Sequence, residues 1–184
     1  MSAAPGQTVG PFFHMGLPYE RGNELVPPGR AGAIRLHGRV LDGHGVPVPD
    51  AMIEIWQPGP DGTILQQPGS LRRDGWTFTG FGRAATDADG HYWFSTLVPG
   101  ATEPGKPAFF AVAVFARGLL DRLFTRAYLP APAAPDPLLA SLPEDRRATL
   151  ITEADDTGLV FDIHFQGPRE TVFLSFPRHR GIWA

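Results

Sequence analysis

The side chains able to do chemistry here are histidines, tyrosines, an acidic pair and a few placed arginines. Their spacing argues against a site built from sequence neighbours. The six histidines are His14, His37, His44, His91, His164 and His179. No two stand at the alternate-residue or i,i+4 spacing that would aim both imidazoles at one metal ion. His44 and His91 fall in turns and His37 and His164 are single strand positions, so each reads as an ordinary surface or core histidine. Asp87-Ala88-Asp89-Gly90 could open a calcium loop, but the later ligands, ending in a glutamate at position twelve, are missing, and a turn is expected instead. No Gly-x-Ser-x-Gly nucleophile elbow and no phosphate loop is present. Arg72 and Arg73 read as solvated loop charges. Arg117 closes the apolar run AFFAVAVFA, where a charge ordinarily marks the return to solvent. A second reading is a fork of five donors pointing into a cleft at the sheet edge. The residues alone favour the first.

These side chains must be held by strands. Ile34, Leu36 and Val40 alternate before LDGHGVPVPD, and Ile53 and Ile55 resume the alternation after it, which puts each set on one strand face. Asp42-Gly43 is a turn signal, and the prolines confine their neighbours to extended backbone, so a hairpin from Ile34 to Gln57 is expected. ATDADGHYWFSTLVPG, residues 85–100, repeats the grammar as a second hairpin. Residues 58–82 make a long insertion in which Trp76, Phe78 and Phe81 read as loop anchors. The run 108–116 lacks alternation and fits a strand buried on both faces. A strand is expected from Leu123. Short helices are expected around 136–141 and 143–148, the second with Ser141 as N-cap. Two closing strands are expected at 160–165 and 171–176. The fold class expected is all-β: a β-sandwich of about seven to nine mostly antiparallel strands with long loops, an N-terminal arm and one or two short helices.

Bulk properties bound the function. The 184-residue chain is most simply one domain, here an arm over 1–33 and a sandwich over 34–184. TVGPFFHMGLP in the arm, residues 8–18, is too apolar to stand in water and should be buried against this domain or a partner subunit, two options the residues leave open. A net charge of −3 without blocks of like charge gives neither nucleic acid nor an anionic membrane an obvious surface. Cysteine is absent, which removes disulfides and thiolate metal centres. The N-terminus shows no signal-peptide pattern and the longest apolar run is too short to span a bilayer, so a soluble, cytoplasmic protein is expected.

Four separated stretches then carry a resemblance: GRVLDGHGVPVPDAMIEIWQ, FTGFGRAATDADGHYWFSTLVPG, FARG and FDIHFQGPRETVFLSF. Together with the TVGPFFHMGLP arm they resemble, over nearly the whole chain, the intradiol ring-cleavage dioxygenases. Among these the likeness is to the alpha-type chain of enzymes built from two related subunits. Family enzymes hold a non-haem ferric ion with two tyrosines and two histidines. The matching positions here are Ile64 for the first tyrosine and Phe109 and Ala111 for the histidines. The loop 101–105, where the second tyrosine would stand, has none. The chain's tyrosines, Tyr19, Tyr92 and Tyr128, lie elsewhere.

The resemblance therefore implies a chain that binds no metal itself and has no catalytic residue of its own. Its partner would be a catalytic beta-type subunit holding the ferric iron, within a higher oligomer of alpha–beta pairs acting on a small aromatic substrate. Thr8, Gly10 and Pro11 of the arm, with Arg117, would contribute to the partner's substrate pocket. Guanidinium suits a planar anion, and prolines hold a backbone near a ligand at little ordering cost. The alternative is a non-catalytic, prealbumin-like binding or interaction module.

Overall fold

The computed structural model of the chain describes residues 9–10, 12–68, 70–132 and 136–176. Two sheets face each other. In the first, β1 (Ala33–Leu41) lies between β4 (His91–Leu97) and β8 (Leu159–Val160), β7 (Glu153–Ala154) extends the edge, and β9 (Ile163–His164) also pairs with β1. The second runs in the order β3 (Phe81–Ala85), β2 (Met52–Trp56), β5 (Phe109–Phe115), β6 (Leu123–Tyr128). Pairing is antiparallel except for β8 and β9, which run parallel to β1. Leu36 and Val40, Ile53 and Ile55, Tyr92 and Phe94, and Phe110, Val112 and Val114 fill the space between the sheets, all buried. The period-2 spacing seen in the sequence is what aims them inward. The β-sandwich expectation holds.

Neither expected hairpin forms. β1 pairs with β4 and β2 with β3, so LDGHGVPVPD and the 86–90 turn carry the chain from one sheet to the other. The turns themselves are where the residues put them: Asp42 accepts from the backbone N–H of His44 and Val46, and Asp87 from those of Asp89 and His91. A turn signal specifies a reversal. It does not specify whether the strand that follows returns to its predecessor or crosses the core.

Other expectations are corrected locally. There are three short helices among the described residues, α1 (Phe13–Gly16) in the arm, α2 (Pro137–Ser141) and α3 (Glu144–Ala148). Ser141 does not cap α3, since its hydroxyl donates back to Leu138 O; Asp136 caps α2 instead, accepting from Leu138 N and Leu139 N. Residues 171–176 contribute one bridge, Leu174 to Phe124, rather than a strand. Arg73 is no solvated charge. It donates to Thr79 Oγ1, Gly22 O and Phe81 O, pinning the insertion to the arm. Trp76 anchors nothing and stands 86% exposed, while Phe81 is buried and Phe78 packs on the core.

Candidate functional site at the two ends of one strand

β5 organises what the sequence could only list. Its register with β2 and β6 places Trp56, Ala111 and Arg126 side by side on the outer face of the second sheet. One step along, Phe109 stands beside Tyr128 with ring centroids 5.3 Å apart. The Arg126 guanidinium lies 4.3 Å over the Phe109 ring. Two loops close over this corner. The Pro58–Thr63 turn is knit by Gly59 N to Thr63 O and by Gly62 N to Gly59 O, and it is tied to its neighbour by Gly100 N to Gly59 O, each at 2.9 Å.

Between these loops and the sheet lies a cavity of about 240 Å³. Ile64, Phe109 and Ala111 line it together, and Thr102 comes from the loop 101–105. The positions named from the resemblance thus meet in one place although about a quarter of the chain separates the first from the last. They carry two alkyl groups, a phenyl ring and a hydroxyl. Gln57 also lines the cavity, but its amide is committed, Nε2 donating to Leu97 O at 2.9 Å and Oε1 accepting from Thr96. Among the described residues no three His, Cys, Asp or Glu side chains gather in a way that could hold a metal ion. The donor set does not fit iron, and no reaction step is assigned to this corner.

The tyrosines are engaged elsewhere, and burial pushes Tyr19, Tyr92 and Tyr128 above the ordinary phenol value. Each hydroxyl is engaged: Tyr92 donates to Phe161 O, Tyr19 to Ser70 O at 2.7 Å, and Tyr128 accepts from Arg126 Nη1 at 3.0 Å.

The other end of β5 is built differently. Past Phe115 and Ala116 a groove of about 420 Å³ opens, lined also by Leu119, Phe124 and Phe176. Val9 reaches it from the arm, so the residue before Gly10 and the residue before Arg117 line one groove. Gly10 is exposed and its carbonyl accepts from Phe13 N; Thr8 and Pro11 lie outside the described residues. Arg117 is 65% exposed and its Nε sits 3.1 Å from Asp50 Oδ2. A surface ion pair of this kind contributes about 0–1 kcal/mol and is easily exchanged for another anion. Asp50, which no sequence signal singled out, thus parks the guanidinium at the sheet end.

The arm is half covered. Phe13 is buried, and Arg83, paired with Glu54 at 2.6 Å, donates to Leu17 O. Phe12, Met15 and Leu17 remain exposed. Of the two options the residues left open, burial on this domain accounts for part of the arm only.

This sandwich matches known proteins. A family model described as "Dioxygenase" covers residues 9–167. The fold is shared with the dioxygenase domain of a carbohydrate-binding fusion protein from a cellulolytic Streptomyces, at TM-score 0.57 and 23% identity over 89% of this chain and 97% of that one. It is shared also with hydroxyquinol 1,2-dioxygenase from Pseudomonas putida, at TM-score 0.56 and 21% identity over 88% of this chain and 66% of that one. The chain belongs to the intradiol ring-cleavage dioxygenase family. Within it, the chain is 35% identical to the protocatechuate 3,4-dioxygenase alpha chain of Burkholderia cepacia over 95% of this chain and 98% of that one. It is 36% identical to the alpha chain of Pseudomonas putida over 94% of this chain and 96% of that one. The beta chain of Burkholderia cepacia is 33% identical over 73% of this chain and 64% of that one.

Proposed function

We propose that this chain is the non-iron-binding alpha subunit of a protocatechuate 3,4-dioxygenase. With a beta subunit that holds a ferric ion, it would open the ring of protocatechuate with O₂ to 3-carboxy-cis,cis-muconate, a step of aromatic catabolism in the cytoplasm. The observation that carries the reading is the donor-free corner: Ile64, Phe109 and Ala111 share one cavity and offer no atom to a metal. Near-complete identity coverage to two alpha chains supports the same reading, and the dioxygenase relatives weigh against a prealbumin-like module. In the complex, Thr8, Gly10, Pro11 and Arg117 line the partner's pocket. There Arg117 exchanges Asp50 for the substrate carboxylate, and the arm excludes water. The exposed Phe12, Met15 and Leu17 are the apolar surface that a partner would cover.

The test is expression of the chain alone and with a beta-type partner. The lone chain should be colourless, free of iron and inactive, and the pair a reddish ferric complex that consumes O₂ with protocatechuate. Tight stoichiometric iron in the lone chain would overturn the reading.

A further inference from the structure

The outer face of the first sheet, remote from both ends of β5, holds a cation without a counter-ion. Arg35 on β1 and Trp93 on β4 lie on this face, and the guanidinium carbon sits 5.5 Å over the indole. They border a groove of about 590 Å³ whose other walls include Pro28, Ile34, Ser95 and Thr157. No acidic side chain lines it. Among the described residues Arg35 makes no ion pair and no side-chain hydrogen bond, and its Nε is buried without a partner. Asp155, in the same turn as the groove's Thr157, is already committed: it accepts from the backbone N–H of Thr157 and Gly158 and from the Thr157 hydroxyl, and it pairs with His37 at 3.1 Å.

An unanswered guanidinium that is partly withdrawn from water is costly to leave alone. Stacking on Trp93 uses only its faces, so the N–H donors around its edge stay free in the plane where a carboxylate binds them in pairs. The charge available matters too. One permanent cation lines the groove, which suits a single negative charge better than a doubly charged phosphate. Trp93, Ile34 and Pro28 offer apolar walls for the rest of the molecule.

We propose that the Arg35–Trp93 groove is a binding site for a small monocarboxylate carrying an apolar or aromatic body. The site is separate from the proposed subunit role and does not rest on it.

Benzoate is the probe, with benzyl alcohol and inorganic phosphate for comparison, titrated by calorimetry and by Trp93 fluorescence into the purified protein together with any partner that co-purifies. Benzoate should bind saturably, and benzyl alcohol at least about tenfold more weakly, because it lacks the charge. Arg35→Gln should weaken benzoate by about tenfold or more, and Arg35→Lys by less, since it keeps the charge and loses the fork. Arg35 makes no contact that the core needs; should Arg35→Gln nevertheless misfold, Trp93→Leu and Arg35→Lys read the same groove. Arg117→Ala is expected to leave this binding unchanged. Binding that survives Arg35→Gln but vanishes in Arg117→Ala would belong to the other site and overturn the proposal. Phosphate binding as tight as benzoate, or a groove blocked in the native assembly, would overturn it too.

Discussion

At its Phe109 end β5 meets a corner without metal donors, and at its Phe115 end a groove beside an arginine. The first is walled by two interlocked loops and floored by Trp56, Ala111 and Arg126; its polar groups are spoken for and the cavity is apolar. The second has a groove reached by the arm and an exposed arginine paired with a mostly covered Asp50; apolar side chains stand in water at both corners, Trp56 and Ile64 at the first, Leu120 and Phe176 at the second. The contrast teaches where the chain keeps its function. A corner with no donors needs only to stay folded. An end with an exchangeable guanidinium is arranged to meet something else. The proposed lending of residues to a neighbour's site rests on that difference: no metal donors at one end, a guanidinium at the other.

Two glycines with nearly equal backbone angles give the sharpest way to break the comparison. Gly62 has φ +84°, and a Cβ there would come within 2.0 Å of Ala101 O. Gly118 has φ +90° with nothing within 4 Å. Gly62→Ala should cost about 3 kcal/mol or more by thermal or urea denaturation, because strain and a backbone clash add. Gly118→Ala should cost only about 1–2 kcal/mol, since strain acts alone. Equal losses would mean that the two ends are equally rigid.

The arm's hold on the domain is next. Glu54 and Arg83 are both mostly buried, so Arg83→Met leaves a carboxylate unpaired and releases Leu17 O. The expected loss is about 2 kcal/mol, with faster proteolysis of the arm. Proteolysis unchanged from the parent would show that the arm is held by Phe13 and Arg73 instead.

Arg117→Ala should cost the chain about 1 kcal/mol, less than Arg83→Met, because Arg117 is itself exposed although the Asp50 carboxylate it leaves is mostly covered. In the complex it should raise KM for protocatechuate about tenfold while leaving iron content intact. Iron loss with unchanged KM would make Arg117 structural.

The smallest effect is on pH. Burial lowers the pKa of His91 and His164 below the ordinary 6.5, with Arg35 adding to the push on His91 and Arg169 on His164; Asp87 and Asp162 pull the other way. A histidine that resists protonation in the fold contributes stability above about pH 6.5 that is lost as pH falls through its folded pKa. The melting temperature should therefore drop between pH 7 and 5, and less in a His91→Gln, His164→Gln double variant. A drop of the same size in that variant would assign it to other groups.

Much was legible in the residues. Period-2 spacing foretold the inward set of β1 and β2. The apolar run 108–116 foretold a strand central in its sheet, but not burial on both faces: Phe110, Val112 and Val114 face the core, while Phe109, Ala111 and Phe115 are only half-buried on the other side. The motifs pointed to a family and to the positions Ile64, Phe109 and Ala111. What was illegible depended on distance through space. Nothing in 70–75 says that Arg73 would be drawn inward by four acceptors, or that Trp76 near it would be left out. Asp50 carries no mark as the partner of Arg117, and Arg35 none as a cation without one.

By itself the sequence determined which side chains exist and which face of a strand each takes, because alternation is a local property of extended backbone. It also determined that no metal centre could form at Ile64, Phe109 and Ala111, because alkyl and phenyl groups have no donor atoms in any fold. Only the tertiary structure decided that the two apparent hairpins are crossings between sheets, since a reversal does not choose its next neighbour. It decided as well that the two ends of β5 meet different side chains, Ile64 and Thr102 at one and Val9 at the other, because strand pairing over long chain separations is set by how the whole core packs.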